Sequence, residues 1–247
     1  AGADRGHGRS GRRRGNSRPA RAPSEADTKR LERAEISEAY EIIKHLKEWK
    51  PTERDYFKFV NTGTSDPYVC LWGIKPTTYV KSKYAKPIIT KQDLHTHFPN
   101  RFDRATRPKL ILSGMRHFEA FYDEDGSCLP GKSTVVALPM EEKASGKFLL
   151  GLLNSVIPKV FFRECYGALA MDGGITFTNK NCGEIPIPKR IGNAQQRVER
   201  LVDRILAAKQ RDPTADTSAL EREIDGLVYA LYGLTPEEIK IVEGAAK

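Results

Sequence analysis

The stretch GSCLPGKS at 126–133 places Gly126, Gly131, Lys132 and Ser133 at the spacing of a phosphate loop. Such a loop leads from a buried strand into a helix whose free amides and N-terminal dipole face the phosphates. The neighbouring residues predict otherwise. Ser133 runs into TVVALP, a β-branched, Pro-ended run that reads as a strand, and FEAFYDEDG alternates into Asp125-Gly126, a dipeptide suited to a hairpin turn. No apolar run ending in Asp stands by to hold magnesium, so nucleotide hydrolysis is not expected.

Other catalytic chemistry is equally hard to place. GxSxG and HExxH are absent from the sequence, and no cysteine has a histidine near it. Cys70, Cys128, Cys165 and Cys182 show no CxxC or CxxH spacing and read as small buried hydrophobes of an intracellular protein. His95 and His97 would suit a metal if they lay on a strand, but no third ligand of matching spacing is close in sequence; a solvated loop before Pro99 is expected. The adjacent carboxylates Asp123, Glu124 and Asp125 read as a solvated turn. No catalytic, cofactor-binding or metal-binding residue is therefore assigned, and the chain reads as a binder.

What it binds is suggested by where its charge lies. The 247 residues carry a formal net charge of +9, and 39% are hydrophobic, enough for one large or two small domains. Residues 1–23 hold seven arginines against Asp4, and residues 73–117 hold ten Lys and Arg against Asp93 and Asp103, whereas residues 193–247 are nearly balanced. One compact segment of the body thus carries its positive excess, which predicts a polyanion-binding face. No apolar run approaches the ~18 residues of a membrane span, and no secretory signal is recognisable, so a cytoplasmic location is expected.

The elements around these residues predict an α+β chain. Residues 1–24, Arg/Gly-rich and without Leu, Ile, Val or aromatics, read as a disordered basic tail. Residues 25–50 read as one amphipathic helix stopped by Pro51. Over 54–190 the runs YFKFV, TTYVK, KLILSG, FEAFYDEDG and STVVALP predict strands, with one helix over GKFLLGLLNSVIPKVFFREC interrupted at Pro158. Over 191–247 two apolar stripes, Val198 to Leu206 and Leu220 to Leu231, joined by PTAD, predict an antiparallel helical hairpin with a cap at Thr217 or Ser218, a stop at Gly233 and a last short helix.

Two stretches carry a family resemblance. LEREIDGLVYALYGLTPEEIKIVEG, residues 220–244, resembles the C-terminal end of type IIG restriction-modification enzymes and related adenine-specific DNA methyltransferases. YFKFVNTGTSDPYVCLWGIKPTTYVKSKYAKPII, with FPNRF, LLGLLNS and EIPIPK, resembles their TaqI-like C-terminal specificity domain, so the resemblance covers about residues 54–247. It implies a β-rich target-recognition domain over 54–190 followed by a helical spacer or docking hairpin over 191–247. It also implies double-stranded DNA as partner. The methyltransferase motifs of the family, an S-adenosylmethionine loop and an Asn-Pro-Pro-Tyr site, are absent; Asn61 and Asn100 lack the paired prolines, and no nuclease motif is recognisable. The chain is accordingly expected to recognise DNA without modifying it, with S-adenosylmethionine belonging to a parent or partner methyltransferase. Since it begins with Ala1, a piece of a longer polypeptide is the simplest expectation; the alternative is a standalone specificity-like subunit that docks a separate methyltransferase through its C-terminal helices.

Within that reading, Lys75, Lys81, Lys83, Lys86, Arg101, Arg104 and Arg107 are expected to neutralise phosphates. Base edges require forked or mixed donor–acceptor groups, which points to Arg116, Asn179 and Lys180, then to Lys132, Ser133 and Thr134. Gly173 and Gly174 would let the loop MDGGITFTNKN approach closely, with Thr176, Thr178, Asn179 and Lys180 reaching out. Tyr229 and Tyr232 read as packing residues.

Overall fold

The computed structural model describes residues 38–140, 143–167, 175–189 and 191–245, and these form an α+β fold. The tail expected over 1–24 and the first part of the helix expected over 25–50 lie outside them. Residues 38–43 are helical (α1) and bury Ala39 and Ile42, but the helix does not run on to Pro51. Lys47–Glu48 is instead a short strand, β1, because the backbone across from it offers better partners. The Glu48 carboxylate accepts the amides of Ala85 and Lys86, both at 2.7 Å, and the Trp49 amide donates to the Lys86 carbonyl.

β1 edges a four-stranded sheet in which β2 (Tyr56–Val60) pairs with β7 (Pro87–Thr90) and, in parallel, with β11 (Cys128–Pro130). Between β2 and β7 the chain makes two small ribbons, β3 (Ser65–Asp66) with β4 (Val69–Cys70) and β5 (Thr77–Tyr79) with β6 (Ser82–Tyr84). After β7 come α2 (Lys91–His97) and α3 (Pro99–Ala105). The segment of His95 and His97, expected as a solvated loop, is therefore helical: the Thr90 hydroxyl accepts the Asp93 amide and starts it, and Pro99 opens the next helix at a position where a missing amide costs nothing.

The second sheet is centred on β8 (Lys109–Ser113), flanked antiparallel by β10 (Ala120–Asp123) and β12 (Thr134–Ala137). All five residues of β8 are buried, the pattern of a strand covered on both faces. β9 (Met115–Arg116) pairs with β13 (Ile175–Thr176) in a separate ribbon. The Asp125-Gly126 turn does not close a hairpin. β10 and β11 belong to different sheets, and the turn carries the chain from one to the other. Gly126 does take a left-handed φ of +60, and a Cβ there would meet the Thr106 carbonyl oxygen at 2.2 Å, so only glycine passes.

Nor is the turn fully solvated. Asp123 is 5% exposed: it accepts the amides of Ser127 and Cys128 and pairs with the fully buried Lys109, whose ammonium also donates to the carbonyls of Ala105 and Arg107. One carboxylate thus organises the crossover between sheets. Of the cysteines, only Cys128 is buried; Cys70 and Cys182 are half-buried and Cys165 is exposed.

The long helix breaks at Ser155 rather than at Pro158, giving α4 (Gly146–Asn154) and α5 (Val156–Tyr166). The ring of Pro158 would strike the carbonyl four residues earlier in a continuous helix, so the chain turns extended at Ser155 and Pro158 sits in the first turn of α5. Asn154 bonds both the amide and the carbonyl of Ala120 at 2.9 Å, and Asp225 accepts the Val156 amide at 2.9 Å. After α6 (Asn179–Cys182), the helices α7 (Ala194–Arg211), α8 (Ser218–Tyr232) and α9 (Pro236–Ala245) fall where the stripes predict. Gly233 ends α8 with φ +67. Val198, Val202 and Ile205 of α7 and Ile224 and Val228 of α8 join Leu110, Leu112, Phe148, Leu152 and Phe162 in one hydrophobic cluster. The boundary drawn at 190/191 is thus no gap in the core. Tyr229 is buried, and the Tyr232 hydroxyl donates to the Pro186 carbonyl.

Candidate nucleic-acid interface

Where β2 ends, the buried Asn61 ties three segments together. Its amide donates to the Thr64 hydroxyl at 3.1 Å, its side-chain nitrogen to the Thr78 carbonyl at 3.0 Å, and its side-chain oxygen accepts the Ser133 amide at 3.2 Å. The Thr62 hydroxyl donates to the Ser133 carbonyl. Gly131 is held so close that a Cβ would lie 2.7 Å from the Asn61 side-chain oxygen. The second half of the phosphate-loop pattern is therefore a clamped turn between strands of two sheets. Its amides are spent: that of Gly131 on Val60, that of Ser133 on Asn61 and that of Thr134 on the Gly131 carbonyl. None of these three is left to cradle a phosphate.

Beside this clamp opens a groove of about 680 Å³, lined by Asn61, Thr62, Lys75, Thr78, Ser113, Met115, His117, Glu119 and Ser133 among others. Two ribbons flank it. In one, Lys83 stands opposite Thr78, so both side chains share a face of the β5–β6 ribbon, and Lys81 occupies its turn with φ 67. In the other, Thr176 stands opposite Met115, which puts both on one face of β9–β13; Met115 is 47% exposed. Of the candidates, Lys75 and Ser133 line the groove itself, Lys83 and Thr176 stand opposite its lining residues Thr78 and Met115, and the exposed Lys132 is next to Ser133. The Thr134 side chain is engaged locally, its hydroxyl donating to the Gly131 carbonyl at 2.7 Å.

The remaining basic candidates lie in other settings. Lys86 sits over the Trp49 ring at 5.3 Å, Arg101 pairs with Glu38 at 2.9 Å, and Arg104 donates to the Asn100 carbonyl at 3.2 Å. Arg107 is exposed beyond the end of α3. Asn179 and Lys180 are exposed on the first turn of α6 rather than on a loop, because Thr178 and Asn181 cap that helix reciprocally. Residues 171–174, including Gly173 and Gly174, lie outside the described residues, as does the side chain of Arg116, whose backbone pairs with Ile175. Part of the linear basic excess is paired with carboxylates: Lys109 with Asp123, Arg101 with Glu38 and Lys91 with Asp55.

The groove is mixed in charge. Asp66 and Glu119 face it together with Lys75 and His117. Partial burial, then the nearby Asp66, holds the Glu119 carboxyl above the usual carboxylate range, against the pull of His117, Lys75 and Lys159. Such a set of acceptors and donors suits base edges, where a carboxylate accepts from the cytosine amine and an amide or Lys serves purines. Asn61, Asp66, His117 and Glu119 escaped the reading of the sequence. Nothing in their local pattern marks them, since they meet only through the pairing of β2, β3 and β8 with their neighbours.

A second basic feature lies on the helical hairpin. Arg197, Arg200 and Arg204 recur on one side of α7 and, with Glu223, Gly226 and Leu227 of α8, line an open groove of about 620 Å³. None of the three arginines forms an ion pair among the described residues. Among the described residues, no helix is long and apolar enough to cross a membrane. No protein-family model matches the chain, and no curated protein matches it.

Proposed function

We propose that this chain binds double-stranded DNA as the target-recognition part of an adenine-specific DNA methyltransferase or a type IIG restriction-modification enzyme of the TaqI-like kind, with S-adenosylmethionine chemistry supplied by a parent or partner methyltransferase. The observation that carries the reading is the groove of about 680 Å³ beside the Asn61 clamp. Its lining offers Lys75 for phosphates, joined by Lys83 opposite the lining Thr78, Lys81 in the same ribbon's turn and Lys132 next to the lining Ser133; His117, Glu119 and Met115 of the lining, with Thr176 opposite Met115, serve base edges and the thymine methyl. Lysines on mobile stems at the rim set affinity, while acceptors and donors fixed by strand pairing set sequence.

The test is equilibrium binding of the purified chain to a pool of random duplexes, followed by sequencing of the bound fraction. Affinity should fall linearly in log–log form as salt rises, by about one log unit per phosphate contacted, and the bound pool should be enriched in a short motif. Replacing Lys75 and Lys83 by Glu should lower affinity for all duplexes alike; replacing Glu119 by Gln should blur the motif. Absence of binding at low salt, or binding without enrichment, overturns the reading.

A second reading is favoured by the α7–α8 groove with Arg197, Arg200 and Arg204: a specificity-like subunit that docks a separate methyltransferase through these helices. Charge reversal of these three arginines would then abolish association with the methyltransferase while leaving duplex binding intact.

A further inference from the structure

His45, Asp93 and His97 bring one ligand atom each to within 4.8 Å of one another, although in the sequence β1, β2 and β7 lie between His45 and the other two. Asp93 and His97 are four residues apart on α2 and share a face of it, while His45 comes from the turn after α1. His95, two positions before His97, lies on another side, its ring edge-on to Phe102 at 4.9 Å. The useful pair in this segment is therefore Asp-x-x-x-His, not His-x-His.

The geometry points to a binding site for a borderline divalent transition-metal ion such as Zn²⁺, held by His45, Asp93 and His97 with a fourth position open to water. The imidazole rings of His45 and His97 lie 4.2 Å apart between centroids, and Phe98 braces the His45 ring edge-on at 5.7 Å. The Asp93 carboxylate is oriented by a partner of its own: one oxygen accepts the Thr90 hydroxyl at 2.5 Å, and that hydroxyl accepts the Asp93 amide at 3.0 Å. The second carboxylate oxygen remains for a ligand. A hydrogen-bonded carboxylate of this kind is what metal ligands commonly require around them.

Two imidazoles and a carboxylate select zinc, cobalt or nickel over calcium and magnesium, which take mostly oxygen. Bonds of about 2.0–2.2 Å space tetrahedral ligand atoms about 3.4 Å apart, so closing the site takes small side-chain rotations. His97, exposed at the surface, and His45, half-buried, can make them. The ion would clip α1 onto α2 above the cluster in which Ile42 packs with Leu94 and Phe98.

The full chain, stripped with a chelator and dialysed, should take up one Zn²⁺ per molecule by titration calorimetry, give visible Co²⁺ absorption, and melt at a higher temperature with the ion in excess. His97→Gln and Asp93→Asn should each weaken uptake by more than about tenfold. His95→Gln should bind like the parent. No saturable uptake up to about 100 µM Zn²⁺ overturns the site. So does uptake undiminished in a folded His45→Gln, His97→Gln double variant, which would place the ion on cysteines or on the N-terminal tail.

Discussion

At the scale of single residues, burial rather than sequence neighbourhood decides what a charged group does. Asp123 sits in a run of three acidic residues yet is the one taken out of water, because Lys109 and two backbone amides meet it there. Glu119 shows the opposite balance: half-buried beside Asp66, it is easier to protonate in the folded chain than in the unfolded one. A raised carboxyl pKa means that the native state binds more protons, so stability falls as pH rises from the ordinary glutamate value through the folded one. Glu119→Gln, which cannot ionise, should therefore melt higher than the parent at pH 7. The difference should shrink toward zero below about pH 4. Equal melting temperatures at both ends, measured by calorimetry, would show that Asp66 and burial do not act on this carboxyl.

At the scale of elements, the groove depends on a clamp with no charge in it. Asn61 joins the end of β2 to β5 and to the start of β12, and each of its two side-chain bonds satisfies a backbone group of another segment. Asn61→Ala would leave the Ser133 amide and the Thr78 carbonyl without these partners, and denaturant unfolding should register a loss of about 1–3 kcal/mol. Asn61→Asp keeps the acceptor for Ser133 but sets a buried carboxylate against the Thr78 carbonyl, so it should cost at least as much as alanine at pH 7. If alanine costs nothing, the segments are held by packing alone and the groove walls are not set by this residue.

At the scale of the molecule, the C-terminal hairpin is built into the core. α7 and α8 cover α4 and α5, with the α4 cap Ser145 bonded to Glu199 and Asp225 bonded to the first amide of α5. Burying a Leu, Val or Phe side chain contributes about 1.5–3 kcal/mol, and several on α4 face the hairpin. Deleting residues 191–247 should accordingly abolish cooperative thermal unfolding of the remainder and expose surface that binds a hydrophobic dye. A truncated chain with a sharp transition near that of the full chain would restore the hairpin to the role of a detachable spacer.

The sequence by itself determined the α+β class, five of the strands, β2, β5, β8, β10 and β12, and the span of α7 and α8. Periodicity and turn chemistry are local, and a strand such as KLILS or a stripe such as Val198 to Ile205 announces its buried face without help. It also sufficed to reject the phosphate loop, since TVVALP cannot be the start of that helix. Tertiary structure decided the rest. Pairing across sheets turned Asp125-Gly126 from a hairpin into a crossover, and a better backbone partner drew Lys47–Glu48 out of a helix. Chain reversal brought His45 to Asp93 and His97, and Asn61 to Ser133, over separations that no local pattern records. The basic excess of residues 73–117 was legible as a count. Which of those charges face a groove and which are neutralised depends on partners such as Glu38, Asp55 and Asp123, brought near only when the chain folds.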